Sequence, residues 1–417
     1  MLESRVESRT LPVLPPLADW DATKLTLHLW VQIVGKIRMA SSPPRNHWWH
    51  VPLYVDGRGL TTRLLQAENG LGFTIDFDFL DHQLRVRSDE GAVEGLPLHD
   101  GLSVAEFYVS LHSMLNQLGI EVPMLAVPYG IAVTTPFAAD RAHASYDAEV
   151  VRKFWRSLEW SQRILEEFSG WYCGKTSPVH FFWHSFDLAL TRFGGDRAPP
   201  LDDADAVTRE AYSHDVISFG FWPGDEHTPQ ASFYSYTAPE PPTLRRTPLQ
   251  PSAAAWVDQG SGSLARLAYE DVRSSTDPRV TLLNFLESAY RAGADAAGWN
   301  RSEFQSSWCP DSPAEISSHV VGTPDLRIEN NTEEARYEAF AGSEQAGFTT
   351  YHAQPGLITL LHTEINPAFE GQGIGSRFVA EILDDARRRE LHVLPICPFV
   401  RAFLQKNPDY ADLIWTG

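Results

Sequence analysis

The sequence predicts an α+β N-terminal domain built on an antiparallel sheet, followed by a C-terminal α/β domain. Three observations predict this. Residues 25–88 carry apolar side chains in alternation, broken by hairpin punctuation at Asp56-Gly57 and Glu68-Asn69-Gly70. Residues 301–324 hold Ser, Pro, Asp and Gly with little periodicity, which marks a linker. Beyond them, residues 357–388 read as a strand, a glycine-rich turn and a helix. The expected organisation is a flexible lead over 1–20, an α+β domain over 21–300, a linker over 301–324 and a second domain over 325–417.

At 417 residues, 43% hydrophobic and 21% charged, the chain has the make-up of a globular protein of two or three domains. Net charge is 34 − 54 = −20, which argues against nucleic acid or an anionic membrane as partner. It leaves room for a small acidic ligand held by a local basic cluster. The 13 Trp and 22 Phe suggest a bulky aromatic core or an aromatic-lined pocket. Cys173, Cys309 and Cys397 lie far apart, so no disulfide framework is expected, and a reducing cytoplasm fits. The first residues are polar, then Pro-rich, without the apolar run of a signal peptide, and no run reaches the length of a membrane span.

Taken in order, Leu25, Leu27, Leu29, Val31 and Ile33 share one parity, which predicts a strand. Residues 51–55, 60–65, 73–79 and 84–87 continue as a meander. Ser103 and Glu106 form a capping box for a helix over 103–118, ended by Gly119. Residues 123–134 read as a strand and 147–168 as an amphipathic helix. The aromatic block at 178–188 reads as a buried strand, 194–200 as a loop, and 216–224 and 231–236 as two more strands. Residues 239–251 are Pro-rich and irregular. A helix over 279–299 closes the domain.

The second domain reads as strands at 325–330, 335–340, 344–352 and 357–365, a glycine loop, a helix over 377–388, a strand at 393–396 and a short helix at 399–405. The loop is Glu370-Gly371-Gln372-Gly373-Ile374-Gly375-Ser376. Glycines allow close backbone approach to a ligand. The free N–H groups and dipole of the following helix favour an anion there.

Four segments then stand in order: His362-Thr363-Glu364-Ile365 with Pro367, the loop from Glu370 to Gly375, Pro395-Ile396-Cys397-Pro398-Phe399-Val400, and Asn407-Pro408-Asp409-Tyr410. Over about ninety residues this resembles the small, minimal branch of the GNAT superfamily of N-acetyltransferases. The resemblance implies a GNAT-like acyltransferase domain that uses acetyl-CoA as cosubstrate and a small-molecule or peptide amine as acceptor. It implies that the pyrophosphate rests on Gly371, Gln372, Gly373, Ile374, Gly375 and Ser376, with Arg377 adding charge, and that the pantetheine arm pairs with the strand at Thr363 and Ile365. For this the strand must splay from its neighbour. The family's usual Arg or Gln at the loop start is Glu370 here.

Transfer needs a base for the amine and a proton for the leaving thiolate. Glu364 and His362 share strand parity beside the expected thioester and are candidate bases. Cys397 opens a short helix, a place that lowers a thiol pKa, and is a candidate nucleophile or acid. The plain alternatives are a solvated strand-end carboxylate, a packing histidine and a small buried residue.

Residues 49–54, 73–81, 178–193 and 212–224 resemble an uncharacterised bacterial family of unknown function, so no activity follows. His180 and His184 stand four apart with Asp187 beyond. On a strand they are too distant to share one ion. A polar pocket with Tyr212, His214 and Trp222, a metal site and plain buried histidines are the three readings. Arg58, between Gly57 and Gly59, presents a guanidinium to a carboxylate or is simply solvated. The other overall readings are a non-catalytic CoA-binding or interaction module, and an N-terminal ligand-binding or metal-binding domain that carries the main function.

Overall fold

In the computed structural model the chain divides into two units, Met1–Ile316 and Ser317–Gly417. The structure describes residues 11–260, 262–307, 309–310, 316, 326–341, 344–366 and 374–415. Among them no helix is long and apolar enough to cross a membrane.

The first unit begins with helix α1 (Asp21–Ala40). The alternation at residues 25–33 predicts a strand, and this is corrected. Leu27, Leu29, Trp30, Val31, Ile33, Val34 and Ile37 are all buried, so the helix is apolar on nearly every face and satisfies a period of two by accident. Gly35 stands mid-helix because the Trp183 ring lies against it. A Cβ there would fall 2.2 Å from the indole. The lead also differs from expectation. Leu11, Leu17 and Trp20 are buried, and the Tyr269 hydroxyl donates to the Pro12 carbonyl at 2.7 Å.

The first sheet holds β1 (Tyr54–Val55), β2 (Gly59–Thr61), β3 (Leu65–Gln66), β4 (Gly72–Asp78), β5 (Gln83–Ser88) and β6 (Val93–Pro97). It is antiparallel in the order β1-β2-β4-β5-β6, with β3 paired to β4. Helix α2 (Val104–Gln117) starts on the expected Ser103–Glu106 capping box. Its Phe107 stacks on Trp30 with ring centroids 5.1 Å apart. Residues 123–134 form no strand. Instead the Gln32 side chain clamps the Tyr129 backbone, accepting its N–H at 2.8 Å and donating to its carbonyl at 2.9 Å. Helix α3 (Ala148–Gly170) is capped by Asp147.

The aromatic block is a hairpin rather than one strand: β7 (His180–Phe182), a turn with Phe186 at φ 59°, then β8 (Asp187–Arg197). Part of the expected loop at 194–200 is thus strand. Helix α4 (Ala206–Ala211) leads to β9 (His214–Trp222) and β10 (Ser232–Ala238), followed by β11 (Ala255–Asp258) and β12 (Ser263–Ala268). These strands form an antiparallel sheet in the order β11-β12-β10-β9-β8-β7. Paired backbone bonds between Leu53 and Phe181 tie the two sheets together. After α5 (Tyr269–Arg273) comes α6 (Pro278–Ala297), with Asp277 as cap, Pro278 in its first turn and left-handed Gly298 at its end. Helix α7 (Arg301–Phe304) and residues 305–306 bond back to Trp171, Tyr172 and Cys173, so this stretch is not linker. One continuous core joins both sheets and the long helices.

The second unit has its own core. Strands β13 (Leu326–Asn331), β14 (Arg336–Ala341), β15 (Glu344–Gln354) and β16 (Leu357–Ile365) form an antiparallel run. Helix α8 (Ile374–Arg388) buries Ile374, Phe378, Val379, Ile382, Leu383 and Ala386. Strand β17 (His392–Pro395) then pairs parallel to β16, making the sheet mixed, and helix α9 (Pro398–Lys406) follows.

Candidate active site

The site of the second unit is a fork between β16 and β17. The two strands pair only over Leu357–Leu360 and His392–Pro395. At the crotch the Leu360 carbonyl accepts both the Ile396 and the Cys397 N–H, each at 3.0 Å. Past that point β17 gives way to α9, while β16 runs on to Ile365 and pairs only with β15.

A bulge sets which groups face the opening. Leu360 pairs with Tyr351 and His362 with Thr350, so Leu361 is an extra residue on β16. It reverses the backbone alternation. The Asn366 N–H donates to Ala346 across β15 at 2.9 Å. Alternation therefore turns the backbone groups of His362 and Glu364 toward β15, and those of Thr363 and Ile365 toward the open side.

Cys397 closes the fork from within. It is 2% exposed and is the N-cap of α9. Burial pushes its thiol up. The Thr363 hydroxyl and the backbone N–H groups of Val400, Phe399 and Thr363 outweigh that and hold it below its usual value. Thr363 is in turn bonded to Thr349 through their hydroxyls, 3.0 Å apart. Thr349 is 0% exposed, so a short relay of hydroxyls ends on the sulfur.

His362 and Glu364 occupy the other face of β16. Their side chains are 63% and 61% exposed, and Nε2 stands 3.7 Å from Oε2. The structure thus brings Thr363 and Cys397 together on one side and His362 and Glu364 together on the other. Ile374, Gly375, Ser376 and Arg377 form the first turn of α8. Gly375 lies against the fork: a Cβ there would stand 2.6 Å from the Phe399 ring and 3.4 Å from the Ile365 side chain. Glu370, Gly371, Gln372 and Gly373 lie outside the described residues. Sequence reasoning missed Thr349, whose role depends on strand register, and the apolar rim of Leu361, Ile396 and Phe399, which are 44%, 51% and 42% exposed. Leu361 falls there because of the bulge.

In the first unit the polar residues singled out by sequence fall only partly together: Asp187 accepts the Tyr234 hydroxyl and lies near His184, whose charge acts on His180. His180 is 1% exposed in β7, and burial, with the charges of Arg38, His184 and Arg63, holds its pKa down to about 3. His184 is in the turn, against Phe182. His214 packs on His47 and bonds Ser213. The Tyr212 hydroxyl meets that of Tyr236 at 3.0 Å. Among the described residues no three His, Cys, Asp or Glu side chains are grouped as metal ligands. Arg58 spends its guanidinium within the chain, on Asp78 at 2.6 Å and Asp81 at 2.8 Å.

Residues 11–306 match a family of unknown function, DUF5996. The chain belongs to that family. This DUF5996 chain also carries a GCN5-related N-acetyltransferase domain, matched over residues 336–413. Among solved structures it is similar to the NMR solution structure of a GCN5-like protein from Staphylococcus aureus, at 22% identity, over 22% of this chain and 91% of that one, with a TM-score of 0.19. No curated protein matches it.

Proposed function

We propose that the C-terminal unit transfers the acetyl group of acetyl-CoA to an amine of a small molecule or peptide, in a reducing cytoplasm that keeps its cysteines as thiols. The observation that supports this best is the fork. An open strand edge of the right polarity, flanked by a helix start and an apolar rim, suits an extended amide-bearing arm. In this reading the Thr363 carbonyl and the backbone of Ile365 pair with the pantetheine, and the first turn of α8 with the preceding glycine loop holds the pyrophosphate. Glu364 takes the proton of the incoming ammonium, with His362 beside it. The amine nitrogen bonds to the acetyl carbon and gives its second proton to water, the carbon–sulfur bond breaks, and the departing thiolate takes up a proton from water at the exposed rim.

The lowered pKa of Cys397 favours a second reading, in which its thiolate attacks first and the amine then attacks an acetyl-cysteine. Calorimetry with acetyl-CoA, followed by thiol release with a panel of amines, tests the activity, and absence of binding refutes it. Glu364→Gln should lower turnover by about 10²–10⁴ with acetyl-CoA binding unchanged. Under the second reading, the chain gains one acetyl group from acetyl-CoA without amine, and Cys397→Ala abolishes this.

A further inference from the structure

The first unit holds a cleft of about 310 Å³ between the C-terminal end of α1, the segment after it, and the turn joining β3 to β4. At its wall is Arg38, only 6% exposed. Its Nη1 donates to the Thr62 carbonyl, and its guanidinium lies 5.3 Å from the centre of the Tyr54 ring. Its Nε has no partner. The Tyr54 hydroxyl bonds it, but among the described residues no Asp or Glu pairs with it, and the other charged side chains that act on it are the cations Arg63 and Arg45. The last turn of a helix favours a cation, which accounts for part of its stability. A buried guanidinium without a counter-charge is nevertheless costly, and this one sits in a chain of net charge −20.

Several other polar groups of the lining donate as well. His50 is buried, and its Nδ1 accepts the Arg45 N–H at 3.2 Å. Burial, with the charges of Arg38 and Arg45, keeps the ring neutral, so its proton sits on Nε2. Ser41, Ser42 and Gln66 add hydroxyl and amide groups, and Arg45 stands exposed at the rim. The one carboxylate of the lining, Asp89, already accepts the Gly72 N–H at 3.0 Å.

We propose that this cleft binds the carboxylate of a small organic acid, with Arg38 as the buried anchor and Arg45 and His50 as flanking donors. Thr62 takes Nη1 and the Tyr54 hydroxyl bonds the guanidinium as well, so Nε is the donor left without a partner in the planar fork that carboxylates favour. The cleft is at the small end of ligand sites, which run to about 300–1,000 Å³, so the acid is of metabolite size.

The proposal is independent of acyl transfer and is tested without CoA. Succinate, L-glutamate and inorganic phosphate are titrated into the full chain by calorimetry at low salt. At least one of the two acids binds, and Arg38→Gln weakens it by about ten- to a hundredfold. Arg38→Lys keeps the charge, loses the fork and also weakens binding. Arg45→Ala, at an exposed position that folding tolerates, weakens it less and reduces its salt dependence, and decides the matter if the Arg38 variants fail to fold by circular dichroism. Failure of both acids to bind, binding of phosphate alone, or an unchanged affinity in every folded variant overturns the proposal.

Discussion

Replacing Thr363 by Val tests the relay that ends on Cys397. The change nearly preserves shape and removes one hydroxyl. That hydroxyl lies 3.0 Å from Thr349 Oγ1 and donates to the sulfur. A hydrogen bond to a charged group contributes about 1.5–3 kcal/mol, and about 1.4 kcal/mol is a factor of ten in ionisation. Alkylation by iodoacetamide at neutral pH should therefore slow by about ten- to a hundredfold. Rates at strongly alkaline pH, where both proteins are fully ionised, correct for access to a residue that is only 2% exposed. The same replacement strips the buried Thr349 hydroxyl of its partner, at a cost of about 1–3 kcal/mol in unfolding free energy. A Thr349→Val/Thr363→Val pair removes both ends, so most of the stability returns while the thiol stays slow. Because the folded thiol pKa is held down, it adds stability above the unfolded value of about 8.5, and this is lost as pH falls through the folded value. Thr363→Val narrows that dependence. Alkylation profiles that superimpose would refute the relay.

Gly347 pairs with Ile365 at the end of β16, and a Cβ there would lie 2.6 Å from the Glu364 carbonyl oxygen. Gly347→Ala should cost about 1–3 kcal/mol in thermal or urea unfolding of the second unit, and an unchanged transition would show that the backbone yields freely. In the first unit, burial, helped by the Lys24 charge, holds His28 down to about 4. The unfolded chain takes up that proton first, so stability is intact above about pH 6.5 and falls by about 3 kcal/mol as pH drops to about 4. Urea midpoints across this window should fall less in His28→Gln, and equal falls would assign the loss to other groups.

The second unit was legible because its strands are short, alternating and separated by turn residues, and because its motifs keep a fixed order. The bulge at Leu361 was not legible. It is a property of register, and it decides which backbone groups face the opening. In the first unit, α1 was misread because a helix buried on nearly every side has no single period. Strands β11 and β12 passed unseen, since Ala255–Asp258 and Ser263–Ala268 are short and only partly buried. Arg38 gave no signal as one cation in the last turn of a helix. Its lack of a carboxylate shows only when β1, β2 and β3 are packed around it.

The unpaired edge of β16 has a consequence for solubility. Exposed strand edges are templates on which other chains add, and proteins blunt them with bulges, prolines and short length. Here the open stretch covers only Leu361 to Ile365, begins at a bulge, and faces a limb that carries Pro395 and Pro398, neither of which has an N–H to offer. A slot this short gives a second sheet nothing to build on, so it can stay open without seeding aggregation.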